Sequence, residues 1–278
     1  MPELTHRKVR LSLEYDGTQF HGWQHQPGER TVEGMLEEAL SSVERRPVDA
    51  QGASRTDQGV HALGQSAHFI SEAPIPTERY AAALNGRLPA DMRVTGAEDV
   101  AEDFDARRSA VGKLYRYWID GRSARSVFLA RYSWRPAGSV DAAAMRAAAP
   151  RFEGELDFGA FSCESGARVE STVRLVHRVT VREAQGLIAI DVLGQSFLYK
   201  MVRRMVGSLV EVGLGRHEEA WIADALASGR RDAAGPTAPP QGLFLVRVFY
   251  DPRELDKACV RGQDTSAPAS PWEGGGEN

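Results

Sequence analysis

Segments of period two and period 3.6 follow one another along this chain without strict alternation, and that order constrains the fold most. Val9, Leu11, Leu13 and Tyr15 alternate with polar residues, a half-buried strand that Asp16-Gly17 ends. Thr31 can cap a helix running to about Val43, with Val32, Met35, Leu36, Ala39, Leu40 and Val43 on its 3.6-residue period. Residues 48–54 and Gln65 to Ile70 read as strands into and out of a loop, 77–87 as a short helix closing at Asn85-Gly86, and 92–100 as a strand. Further on come a strand at 112–119, an alanine-rich helix at 139–149 and a hairpin of 173–183 with 187–195 around Gln185-Gly186. A helix from about Phe197 to Val212, another at 218–228 and a last strand at 243–250 complete the series. A regular strand-helix-strand rhythm would demand a parallel sheet. Its absence predicts an α+β fold with a mostly antiparallel sheet, and 278 residues suffice for one large domain or two small ones.

Composition narrows the class without deciding function. With 42% hydrophobic and 26% charged residues the chain is an ordinary globular one. No apolar run approaches the roughly 20 residues of a membrane span, and the N-terminus shows no apolar stretch followed by a small-residue cleavage site. The expected location is the cytoplasm, with no membrane partner. Cys163 and Cys259 sit in no metal-type spacing and form no disulfide framework, so both are expected to be reduced and non-catalytic. The net charge of −4 is unevenly spread. Residues 251–278 carry −3, whereas 106–135 carry +7 from Arg107, Arg108, Lys113, Arg116, Arg122, Arg125, Arg131 and Arg135 against Asp120. Tyr115, Tyr117, Trp118, Phe128, Tyr132 and Trp134 are interleaved with those cations. Such a segment suits phosphates and stacked bases; a solvated strand edge and loop would look the same. The end of the chain from about residue 253 is rich in Gly, Pro, Ser and charge and is expected to be disordered.

The densest chemistry lies in GASRTDQGVHALGQSAHF, residues 52–69. Gly52 and Gly59 bracket Asp57, and glycines permit tight turns and close approach of a ligand. A lone carboxylate there can act as nucleophile, general base or metal ligand, or simply accept hydrogen bonds within its own turn. His61 and His68, with His21 and His25 of HGWQH, raise a metal-dependent hydrolase as one reading. Gly22 and Pro27-Gly28 argue against the helix that would align the last two, and the favoured reading of His61 is a hydrogen-bonding partner that holds the loop.

RTDQGVHA resembles the RTDAGVHA signature of the tRNA pseudouridine synthase A family. EYDGTQFHGWQHQ resembles that family's N-terminal strand and loop, LYRYWI its basic-aromatic strand, FLYKMVRRMVGSLVEVG its long C-terminal helix and GLFLVRVFY its last strand, so the likeness covers roughly residues 8–250. Ser54 stands where a Gly usually precedes the Arg, and Gln58 where Ala follows the Asp. Neither change removes a chemical group, but the larger Gln58 bears on loop packing or on a contact to RNA.

The resemblance implies isomerisation of uridine to pseudouridine at positions 38, 39 and 40 of the tRNA anticodon stem-loop. The N–C glycosidic bond breaks, the uracil turns while held, and C5 bonds to C1′. No atom is gained, nothing is oxidised, and no cofactor or metal is expected. Asp57 would be the catalytic carboxylate, attacking sugar or base or taking a sugar proton through a glycal route. Arg203 is implied as the cation that keeps it ionised, Tyr115 as the stacking platform for the uracil and a proton acceptor, Leu243 as an apolar wall beside the base, and Arg55 as the group that fills the gap or holds the backbone when the nucleotide leaves the stack. The implied architecture is the pseudouridine synthase fold: two related α/β subdomains, residues 1–105 with the Asp loop and 106–250, around a central active-site cleft, then the tail 251–278. Homodimers are the family's form, with RNA recognised by shape. A non-catalytic RNA-binding module of the same fold is the alternative.

Overall fold

The computed structural model describes residues 6–124, 126–163 and 170–261. Two compact units emerge. One holds the residues up to Ala110 together with Leu245–Tyr250; the other holds Val111–Phe244 and the residues from Asp251 onward. Both are α+β with antiparallel pairing between their strands.

The first unit is built on β1 (Arg7–Tyr15), α1 (Val32–Glu44), β2 (Gln51–Gly52), β3 (His61–Ser71), α2 (Tyr80–Asn85) and β4 (Met92–Val100). Strand β1 lies between β3 and β4, and β2 adds a short rung against His68 and Ala67. The alternation read from Val9 to Tyr15 is the pleat itself: Val9, Leu11, Leu13 and Tyr15 are at most 4% exposed. Val9 lies opposite Phe69, whose ring meets Tyr80 of α2 edge-on at 5.3 Å. Thr31 caps α1 as expected, its side chain accepting from the Gly34 N–H, and Leu36, Ala39 and Leu40 are buried. At the far end of α1 the buried Glu44 carboxylate accepts from the Tyr80 hydroxyl and, at 2.9 and 3.0 Å, from the amides of Glu72 and Ala73.

The second unit contains β5 (Gly112–Asp120), α3 (Ala142–Ala148), β6 (Gly154–Asp157), β7 (Val173–Ala184), β8 (Leu187–Gly194), α4 (Met201–Gly213) and α5 (Ala220–Ser228). Its strand order is β5-β8-β7-β6. Gln185 and Gly186 both take positive φ, 52° and 75°, the geometry a two-residue hairpin with native twist requires. Register sorts the side chains by face. Tyr115–Val192–Val179 and Tyr117–Ile190–Val181 line one face, and Arg116–Asp191–Thr180 lies on the other.

Several elements depart from the periodic reading. Only Gln51–Gly52 of the expected 48–54 strand pairs, while the returning strand begins earlier, at His61. Helix α4 starts at Met201 rather than Phe197, because Lys200 adopts a left-handed conformation (φ 59°) that breaks the turn before it. The last strand, β9 (Leu243–Phe249), is shared: Leu243 and Phe244 belong to the second unit, and the rest lies beside β3 in the first. The expected tail is a helix over its first turns, α6 (Pro252–Arg261). Leu255 is buried, and the Arg178 guanidinium donates to the Cys259 carbonyl at 2.6 Å, a cation placed where helix carbonyls are unsatisfied. Composition hid this because charged residues outnumber the few positions that α6 buries. Residues 262–278 of the expected tail lie outside the described residues. Among the described residues no helix is long and apolar enough to cross a membrane.

Candidate active site

In the first unit Asp57 sits on the connection from β2 to β3, and the loop is fixed from three sides. Gln65 of β3, fully buried, accepts from the Ser54 amide at 3.2 Å and donates to the Ser54 carbonyl at 2.7 Å. The Tyr15 hydroxyl, at the end of β1, meets the Thr56 hydroxyl at 2.8 Å. The Trp23 amide donates to the Thr56 carbonyl at 3.0 Å, and Trp23 is held in turn by its indole N–H on Glu33 of α1, also at 3.0 Å. Helix α1 thus reaches the Asp57 loop through Glu33, Trp23 and Thr56. Behind the loop, Gly22 has φ +88°, and a Cβ there would lie 2.8 Å from the Thr56 carbonyl oxygen and 3.3 Å from the Asp57 carbonyl carbon. Asp57 is half-buried, between buried Thr56 and exposed Gln58; Arg55 is exposed. The bulk of Gln58 therefore faces solvent, while Ser54 is enclosed.

The histidines serve structure. Nδ1 of buried His61 accepts from the Gly17 amide at 3.0 Å, tying the loop after β1 to the start of β3. Nδ1 of His68 accepts from the Ala106 amide at 3.1 Å, and burial lowers its pKa. His21 pairs with Glu29 and His25 with Glu37. Among the described residues no three His, Cys, Asp or Glu side chains are grouped as a metal site would need.

In the second unit, Tyr115 and Tyr117 stand two apart on one face of β5. Tyr115 is 7% exposed and meets Phe197 edge-on, ring centroids 5.3 Å apart. Arg203, on the first turn of α4 and 9% exposed, donates from Nε to the Ala238 carbonyl at 2.8 Å. The Tyr117 hydroxyl donates to the next carbonyl, Pro239, at 2.7 Å. Burial holds the Tyr117 phenol well above its ordinary pKa, and the Arg203 cation offsets part of that rise. Gly242 lies where a Cβ would be 2.6 Å from the Tyr117 ring, and Leu243 beside it is 5% exposed. The second unit thus brings Arg203 and Tyr117 onto one segment, 238–239, with Leu243 following it. Asp57 and Arg55 share the loop of the first unit.

Sequence reasoning missed the supports: Tyr15, Trp23, Gly22 and Gln65 around Asp57, and Tyr117 with 238–239 around Arg203. The i, i+2 spacing of Tyr115 and Tyr117 was a legible signal for one of them. The basic segment also divides. Arg116 is buried and bonded through Nε and Nη2 to Asp191 at 2.6 and 2.9 Å, and Arg122 and Arg135 pair with Asp120. Arg107, Arg108 and Arg131 are exposed, and Arg125 lies outside the described residues.

Comparison with known proteins bears on this arrangement. The family model for tRNA pseudouridine synthase matches residues 12–107 and 148–251. The tRNA pseudouridine synthase A of Ruminiclostridium cellulolyticum is 44% identical over 246 residues, 88% of this chain and 100% of the relative. That of Myxococcus xanthus is 43% identical over 261 residues, 94% of this chain and 97% of its own. Among solved structures, a Cbf5-Nop10-Gar1 complex is similar at 12% identity with a TM-score of 0.33, over 85% of this chain and 57% of that one, a likeness too low to carry an argument.

Proposed function

The chain belongs to the tRNA pseudouridine synthase family, and we propose that Asp57 is the carboxylate through which it works. As a member it isomerises uridine to pseudouridine in tRNA. The observation that carries the assignment to Asp57 is the number of buried groups committed to holding its loop: Gln65, Tyr15, Trp23 and the close approach of Gly22. A side chain held on such a support keeps one position through a reaction in which the base must turn.

The reaction begins with a nucleotide out of the helical stack, at a cost of a few kcal/mol. Arg55, exposed on the same loop, fills the gap or holds the backbone. Ionised Asp57 then attacks the sugar or base, or removes a sugar proton; each route separates N1 from C1′ and ends with C5 bonded to C1′. Tyr115 stacks on the uracil and takes up a proton late in the reaction, Leu243 packs beside the base, and Arg203 serves the same step as Asp57. The target positions are 38, 39 and 40 of the anticodon stem-loop, and the working form is a homodimer in the cytoplasm.

The test is direct. Purified enzyme is incubated with unmodified tRNA and pseudouridine is mapped position by position, beside tRNA from cells lacking the protein. Wild type should form pseudouridine at 38–40. Asp57→Asn should form none while its tRNA affinity stays within a few fold, and product at near wild-type rate from that variant would refute the assignment.

A further inference from the structure

The connection from β5 to α3 carries an exposed apolar pair on a built loop. Its base is clamped: Asp120 binds Arg122 at 2.8 Å and reaches Arg135 at 3.6 Å, and the Trp134 amide donates to the Trp118 carbonyl at 2.9 Å. Its far side is anchored, with Leu129 3% exposed and its carbonyl accepting from the Ser133 hydroxyl at 2.8 Å and the Tyr132 amide at 2.9 Å. The same turn that buries Leu129 leaves Val127 80% and Phe128 76% exposed. Single exposed apolar residues are common. Two adjacent ones, one of them aromatic, on a loop pinned at its base and its turn, amount to a displayed surface. Residues 121–135 contain no acidic side chain, and Arg131 is exposed among them.

We infer that this loop is an RNA-stacking prong: the Phe128 ring packs against a base of the substrate tRNA, and Arg131 supplies a phosphate contact. The inference rests on tRNA being the substrate. A sequence-tolerant aromatic face combined with nearby positive charge is how proteins hold RNA without reading its bases. A second protein is the poorer occupant, because two side chains fall far short of the roughly 800 Å² per partner that a stable interface buries.

Full-length Phe128→Ala, Phe128→Leu and Phe128→Trp enzymes should be compared for tRNA Kd, for single-turnover rate at saturating tRNA and for sedimentation. The residue is exposed, so all three should fold with wild-type melting. Ala and Leu should raise Kd about tenfold, equivalent to about 1.4 kcal/mol. Trp should keep Kd within about twofold, since stacking needs only a π face. The saturating rate and the sedimentation coefficient should not change. An unchanged Kd in Phe128→Ala would overturn the inference, as would rescue by Leu equal to that by Trp. A drop to a smaller assembly would overturn it too, by making the loop a contact between copies of the chain. Failure of the synthase reading would show separately, as wild-type enzyme that forms no pseudouridine. The Kd comparison needs no turnover and judges the prong in either case.

Discussion

Arg203 and Ala238 hold each other twice: the Arg203 Nε–H donates to the Ala238 carbonyl at 2.8 Å, and the Ala238 amide donates to the Arg203 carbonyl at 3.0 Å. The first bond fixes the plane of the guanidinium; the second locks the start of α4 to the segment that carries it. A lysine keeps the charge but cannot hold that carbonyl through Nε and still present a planar fork. Arg203→Lys should therefore lose roughly 100-fold in single-turnover rate and Arg203→Ala more, on the scale of a removed electrostatic stabiliser, with modest loss of tRNA affinity in both. If Arg203 and Asp57 serve one step, their effects will not add: in an Asp57→Asn background, Arg203→Ala should remove little further activity. A wild-type rate in Arg203→Ala with only weaker binding would reduce Arg203 to a phosphate contact.

Electrostatic binding should rest on the arginines that the fold leaves outside. Asp105 Oδ1 accepts from the amides of Arg107 and Arg108 at 2.9 and 2.8 Å, a turn that sets both exposed side chains. Affinity for tRNA should fall steeply with salt, and replacing both by Gln should flatten the slope of log K against log salt by about one per lost phosphate contact. Arg116→Gln should instead lower the melting temperature, because it takes from buried Asp191 its two-bond guanidinium partner and leaves only Arg182 on the carboxylate. An unchanged slope in the double Gln variant would put the RNA surface elsewhere.

Much of the fold was legible because the chain is locally consistent. The Val9–Tyr15 alternation, the Thr31 cap and the Gln185-Gly186 turn each commit a segment through its own residues, and each holds. The departures come where long-range contacts override local pattern. Lys200 leaves the helix although FLYKMVRR reads as helical throughout, and α6 forms on a polar stretch because the sheet offers Leu255 a buried seat and Arg178 a partner for its last carbonyls. Of the candidate site, the loop that carries Asp57 was legible in the sequence and the groups that hold it were not. Asp57 belongs to a recognisable string, but that Gln65 grips Ser54 or that the 238–239 carbonyls take Arg203 and Tyr117 follows only from tertiary packing. The charge pattern misled in one place: a run of cations includes Arg116, whose charge is spent inside the protein on Asp191.

Glu44 gives the stability of the first unit a pH dependence. Burial alone would raise its pKa, but hydrogen bonds from Tyr80 and from the Glu72 and Ala73 amides outweigh it and hold the carboxyl below its ordinary 4.5. A depressed folded-state pKa contributes stability that is present above the unfolded value and lost as pH falls through the folded one. Glu44→Gln must trade one acceptor oxygen for an NH2 group among these donors, so it should cost ~1–3 kcal/mol at neutral pH. The gap between wild type and variant should close as pH drops below about 4. Denaturant unfolding across pH 3 to 7 measures it; a gap constant over that range would rule out ionised Glu44 as its source.

Metal removal should leave activity intact. Rearranging one glycosidic bond consumes no water and no electron, and the surface histidines His21 and His25 are engaged by Glu29 and Glu37. Enzyme treated with EDTA and assayed on prefolded tRNA should match untreated enzyme. Activity that vanished and returned only with a transition metal would favour the hydrolase reading.

The sharpest test of how the Asp57 loop is held compares two glycines of the preceding loop. Gly22 and Gly28 both have positive φ, +88° and +80°, so alanine is strained at either position by about 1 kcal/mol or more. They differ in what a Cβ would meet. At Gly28 nothing lies within 4 Å, whereas at Gly22 the Thr56 carbonyl oxygen is at 2.8 Å, the Gln58 amide nitrogen at 3.2 Å and the Asp57 carbonyl carbon at 3.3 Å. Backbone cannot rotate out of the way as a side chain can, so the Gly22→Ala methyl must push the peptides on either side of Asp57. A shift of about 1 Å in a reacting group can cost 10²-fold in rate. Gly22→Ala should accordingly lose on the order of 100-fold in single-turnover rate while tRNA affinity stays within a few fold. Gly28→Ala should lose a similar amount of stability from strain and keep its rate. Equal rate losses in the two variants would show that strain in the loop, and not the seat beneath Asp57, governs the chemistry.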